Sequence, residues 1–179
     1  MRSPQEHIHN NILAGHDPLK GLEPFTAFFD MEYKRGDTIV ENYKRFPIFA
    51  RNHPQAKFLM NTRDKENWLR SRVRHANGLY LRREMKRRDI SSRDVISSWA
   101  DDFDRHLEKV QTFFEAERDR LLIYNIERDN IQSVIDFVEP EFKLDSRHWL
   151  QVRKTDAVAD KLGWDAPDEM VESSLRHVA

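Results

Sequence analysis

Residues 57–75 read KFLMNTRDKENWLRSRVRH, and the parsing of that stretch decides the fold. Phe58, Leu59 and Met60 form a short apolar run between Lys57 and Asn61, which suits an interior strand better than one with a single buried face. The strand would deliver Arg63 to its end and pass Ser71 into the following helix. Thr62 and Asp64 are both residue types that cap a helix start, where unpaired N–H groups and the positive end of the helix dipole favour an anion. Arg63 could then grip a terminal phosphate through two hydrogen bonds, and the Ser71 hydroxyl could add another. The same spacing also describes an ordinary strand–helix junction in which Asp64 is only a cap and Arg63 is only solvated.

Working outward, the chain of 179 residues suits one domain with a real core and leaves no room for a second of ordinary size. Charged residues make up 34% of it and aromatics 11%, the profile of a folded protein with heavily charged helix faces. The net charge is only −1, but it is unevenly spread. Arg70, Arg72, Arg74, Arg82, Arg83, Lys86, Arg87 and Arg88 crowd one region, and Asp101, Asp102, Asp104, Glu108, Glu115 and Glu117 follow in the next. Cysteine is absent, so neither disulfides nor thiol chemistry is available. No apolar run approaches the ~20 residues needed to span a bilayer, and the first residues lack the apolar stretch of a signal peptide. The expectation is a cytoplasmic protein without membrane contact.

The segment 1–21 is polar, with Pro4, Pro18 and two glycines, and reads as an irregular or weakly helical, loosely packed lead-in. Phe25, Phe28 and Phe29 read as core anchors. Residues 37–51 have roughly helical apolar spacing interrupted by Pro47. From Lys65 onward, Trp68, Leu69, Val73, Ala76 and Leu79 to Leu81 recur at helical spacing, with Gly78 softening the helix near its middle. Ser91 or Ser92 can cap a long helix whose buried stripe runs through Val95, Ile96, Trp99, Phe103, Leu107, Val110, Phe113 and Phe114. Residues 121–126, LLIYNI, form a second strand. Asn130 can cap a short helix that Pro140 stops. Strand, helix, helix, strand, helix is the order of an α/β layer with parallel strands. A sheet this thin leaves an unprotected edge, which favours a homo-oligomer.

The pattern T-R-D-x-x-x-W-x-x-S-x-x-x-H, which carries Arg63 and, eight positions on, Ser71, resembles the 3'-phosphate-binding segment of the sulfotransferase superfamily. The likeness continues through Trp99, Phe103, His106, Val110 and Phe113 to the strand at 121–126, covers roughly residues 17–149, and is greatest for the bacterial branch. It implies an α/β fold: an incomplete P-loop-like sulfotransferase fold with a small parallel sheet flanked by long helices, in a single domain over 1–179 with 150–179 as a C-terminal tail. Members of that family move a sulfuryl group from 3'-phosphoadenosine 5'-phosphosulfate (PAPS) to a hydroxyl or amine acceptor, leaving PAP. The implied ligand is therefore PAPS or PAP, held by Arg63, Ser71 and Arg153. Arg153 belongs to an R-K-T run, Arg153 to Thr155, that is weakly similar to the family's basic loop over the 3'-phosphate. Thr155 stands there where a glycine is usual, and a solvated charge pair is the better account of the run.

The family's opening strand, glycine-containing loop with Lys and Thr or Ser, and helix, which hold the 5'-phosphosulfate, have no counterpart among Gly15, Gly21, Gly36, Gly78 and Gly163. The opening residues already resemble the family's middle region, so that first unit is expected to be lacking. The catalytic base stays unassigned. By the resemblance Asp30 and Glu32 lie near an acceptor, His53 is an alternative base that better suits a surface turn, and Asp64 is better read as a cap because a carboxylate repels a phosphate. His75 and His106 fit bonds within the fold better than chemistry. His7, His9 and His16 lack any compact ligand spacing, so no metal is expected. Trp68, Trp99 and Trp149 read as core or interface residues. The basic run shows no nucleic-acid-binding module, and no nucleic-acid partner is expected. Three functional classes result: a PAPS-dependent transferase; a non-catalytic relative that binds PAP or acts in assembly; and an unrelated helical interaction protein, which would have no parallel strand at 58–61.

Overall fold

Phe58–Thr62 is a strand, and it is parallel to a second strand at Leu121–Asn125 in the computed structural model, which describes residues 3–36 and 38–149. The chain divides into two compact units, Met1–Ala56 and Lys57–Ala179.

In the first unit, α1 (Pro4–Leu13) occupies the segment expected to be irregular or weakly helical. Ser3 caps it by accepting the Glu6 N–H, Pro4 sits in the first turn where its missing donor costs nothing, and Ile8 is buried. Asn11 ties the following loop to the helix, donating through Nδ2 to the carbonyls of Pro18 (3.0 Å) and Lys20 (2.9 Å). Strands β1 (Glu32–Arg35) and β2 (Thr38–Glu41) form an antiparallel hairpin that pairs Tyr33 with Val40. A 3-10 turn at Asn42–Arg45 leads into α2 (Phe46–Asn52). Pro47 thus opens a helix rather than interrupting one, because a proline is harmless only in the first helical turn. Phe25 and Phe29 are 59% and 80% exposed and so do not anchor a core.

In the second unit, β3 (Phe58–Thr62) leads to α3 (Lys65–Arg74), α4 (Leu79–Arg88) and α5 (Ser92–Phe113), then to β4 (Leu121–Asn125) and α6 (Gln132–Val138). Parallel strands need a long crossover, and three helices supply it. The parallel register sets Phe58 against Leu121 and Thr62 against Asn125. The helical-protein reading falls with this pair. The architecture is a mixed α/β one with a small parallel sheet and long helices. β3 is not an interior strand, however: its burial alternates, and Leu59 is 43% exposed. In a sheet of two strands among the described residues, one face of β3 keeps contact with solvent.

The helix expected to run on from Lys65 is two helices. Ala76, Asn77 and Gly78 all take positive φ, and Gly78 at 72° starts α4. Three left-handed residues cannot continue a right-handed helix, and only glycine adopts that conformation without steric cost. α3, α4 and α5 enclose a core of Leu69, Val73, Leu81, Val95, Ile96, Trp99 and Ala100. Ser91 caps α5 through the Asp94 N–H. The Trp68 and Phe103 rings meet at 5.1 Å, and Phe58 from β3 meets Phe114 at 5.0 Å. Asn130 accepts the Gln132 N–H at 2.9 Å at the start of α6, which ends at Val138, two residues before Pro140. Trp149 is exposed, edge-on to Tyr124. Among the described residues no helix is long and apolar enough to cross a membrane.

Candidate anion-binding site at the end of β3

The parallel register brings the carboxyl ends of β3 and β4 side by side, the end of an α/β sheet at which ligands commonly bind. The pairing continues one step past the strands, with the Ile126 N–H donating to the Thr62 carbonyl at 2.9 Å. The next residue on each side is then Arg63 on one and Glu127 on the other.

Asp64 caps α3: its Oδ1 accepts the N–H groups of Glu66 (2.9 Å) and Asn67 (3.1 Å). This is the capping role read from the sequence, and Thr62 does not share it. Arg63 donates to Glu127 Oε1 through Nε at 3.0 Å and Nη2 at 2.5 Å. The other carboxylate oxygen, Oε2, accepts the Asp64 backbone N–H at 3.0 Å. The Asn67 carboxamide reaches both oxygens, at 3.2 and 3.3 Å. A guanidinium, a backbone amide and a side-chain amide therefore converge on one carboxylate.

Glu127 is presented by a tight turn. Asn125, buried, accepts the Glu127 N–H on Oδ1 at 3.0 Å, while its own N–H donates to Asp129 Oδ2 at 2.7 Å. The Asp129 N–H returns to the Asn125 carbonyl at 2.9 Å. Burial pushes the Glu127 carboxyl up, but the hydrogen bonds from Asp64 N–H, Arg63 and Asn67 outweigh it and hold it below the usual carboxylate range. The side chains of Arg63 and Glu127 are 25% and 26% exposed, so water reaches the pair.

Of the residues read as phosphate ligands, Arg63 stands at the junction as expected but pairs with a carboxylate of this chain. Ser71 is half-buried on α3, one turn beyond Asn67 on the same helix face. Arg153, with Lys154 and Thr155, lies outside the described residues. Asp30, Glu32 and His53 belong to the first unit, where His53 donates through Nε2 to Asp17 Oδ1 at 3.0 Å. His75 lies edge-on to the Tyr80 ring. His7 donates to the Lys20 carbonyl at 2.7 Å, and His9 stacks on Tyr33. Among the described residues no three His, Cys, Asp or Glu side chains gather as a metal site would require.

Sequence reasoning missed Glu127 and Asn67. Asn67 carried a faint signal, lying three positions after the capping Asp64 on the turn that faces the site. Glu127 carried only its place beyond the second strand. Compared with models of known families, with curated proteins and with solved structures, the chain matches none.

Proposed function

We propose that the Lys57–Ala179 unit binds the 3'-phosphate of PAPS or PAP at the β3–α3 junction, and that the protein acts as a sulfotransferase, passing the sulfuryl group of PAPS to a hydroxyl or amine acceptor. The observation that carries the reading is the convergence of Arg63, the Asp64 N–H and Asn67 on a single oxyanion, here the Glu127 carboxylate. Donors so aimed suit the oxygens of a phosphate, and arginine is the side chain best fitted to grip them. Ser71, a turn further along the face, and Arg153 complete the set that the sulfotransferase resemblance implies.

Transfer needs more than this junction. A base must take the acceptor proton, and a cation must stabilise the bridging oxygen of the departing PAP. One observation favours a second reading, a non-catalytic relative that keeps PAP: Arg63, the cation on which the proposed phosphate site rests, is already matched by a carboxylate. Calorimetric titration of the full chain with PAP, repeated on Arg63→Ala, tests the shared core of both readings. Saturable binding lost in the variant is the expected result; a folded chain that takes up no PAP, either as wild type or with Glu127 replaced, overturns it. Incubation with PAPS and a panel of hydroxyl and amine acceptors then separates transferase from binder.

A further inference from the structure

We infer that Glu127 is a displaceable internal anion, whose carboxylate fills the place that a phosphate must take and thereby holds the junction closed until a phosphate drives it out. This deepens the nucleotide-binding reading above and rests on it. The donors that converge at the junction end within the chain. Arg63 Nε and Nη2, the Asp64 N–H and the Asn67 carboxamide all end on Glu127, and the N–H groups of Glu66 and Asn67 end on Asp64 Oδ1. An incoming phosphate that left Glu127 in place would find none of these donors and would face two carboxylates, with like charges in close contact.

Displacement requires only side-chain rotation. The backbone of Glu127 is held by its bond to Asn125 and by the turn back to Asp129, so the carboxylate swings on a fixed anchor. The pair is a quarter exposed, so the freed carboxylate has water to turn into. A phosphate monoester brings close to two negative charges and three acceptor oxygens, against one charge and two oxygens for the carboxylate. The exchange is thus favourable but offset by the loss of the internal pair, and apparent affinity falls by the fraction of chains in which the site is closed.

The opposite role for Glu127, holding Arg63 in position for the phosphate, predicts the opposite sign on mutation. Calorimetry with PAP on the wild type, Glu127→Gln, Glu127→Ala and the double variant Arg63→Ala/Glu127→Gln decides between them, each form being checked for folding by circular dichroism and thermal melting. Glu127→Gln keeps the shape and removes the charge, and binds PAP about tenfold more tightly, as loss of one charged competitor implies. Glu127→Ala removes the carboxylate altogether and leaves every donor in place, and binds PAP more tightly by a similar factor; it carries the test if Glu127→Gln fails to fold. The double variant binds nothing. Wild type that binds PAP as well as or better than both folded single variants overturns the inference and leaves the nucleotide reading standing. Failure of every folded form to bind PAP overturns both.

Discussion

Two arginines nine positions apart in one βα unit are held in opposite ways. Arg63 sits at the rim of the sheet, its charge matched by a carboxylate in contact with water. Arg72 lies among aromatic rings, with its guanidinium 4.8 Å from Trp68 and 5.0 Å from both Tyr80 and Trp99. Its Nη2 donates to the Tyr80 hydroxyl at 2.8 Å, and its Nε is buried without a hydrogen-bond partner among the described residues. Tyr80 in turn stacks on Trp99, at 5.4 Å and 12°. A guanidinium paired with an oxyanion can exchange it for another oxyanion. One packed against three rings cannot move without opening a core. The difference separates an arginine available for a ligand from one that belongs to the framework, although both stand in the same basic stretch of sequence.

The largest effect that would break this comparison comes from the ring-bound side. Arg72→Ala removes three cation–π contacts and leaves a gap beside Trp99, and is expected to lower stability by about 2–3 kcal/mol. Urea unfolding measures it, and Arg72→Lys should recover only part of the loss because an ammonium cannot stack. An unchanged midpoint for Arg72→Ala would show that the rings do not depend on the cation. A smaller effect belongs to the junction: Asp64→Ala removes the cap of α3 and is expected to cost about 1 kcal/mol in the same assay.

The smallest effect is a pH dependence. Glu127 has a carboxyl pKa lowered from its ordinary 4.5, so its folded-state interactions contribute fully above that value and are lost as pH falls through the lowered folded value. The stability gap between wild type and Glu127→Gln, at most about 1 kcal/mol for so exposed a pair, should therefore be present at neutral pH and shrink in acid. A gap that widened in acid would place the stabilising form of Glu127 in its protonated state and sink the ion-pair account.

Much of the second unit was legible before any coordinates. The apolar run at Phe58, the strand at Leu121, the capping residues Asp64 and Ser91 and the long stripe of α5 are local signals, written in neighbouring residues and in helical or strand period. The misreadings share a cause. Gly78 was read as softening a helix, but Ala76 and Asn77 join it in the left-handed region, and no propensity of alanine announces that. Leu59 was read as interior, yet its exposure depends on what covers that face of the sheet. Pro47 was read as an interruption because the helix start that makes it harmless lies only one residue before it.

By itself the sequence determined the strands at Phe58 and Leu121, the helix starts after Asp64 and Ser91 with their caps, and that Arg63 would stand at a strand end before a helix. These are set by short-range sterics and by hydrogen bonds between residues a few positions apart. Only the tertiary structure decided what Arg63 meets. Glu127 lies 64 residues away along the chain and reaches the guanidinium because β3 and β4 pair parallel in one register. A shift of one residue in that pairing would turn the side chains to opposite faces. Likewise, the break after α3 and the packing of α5 together close three rings around Arg72, a contact that no local pattern contains.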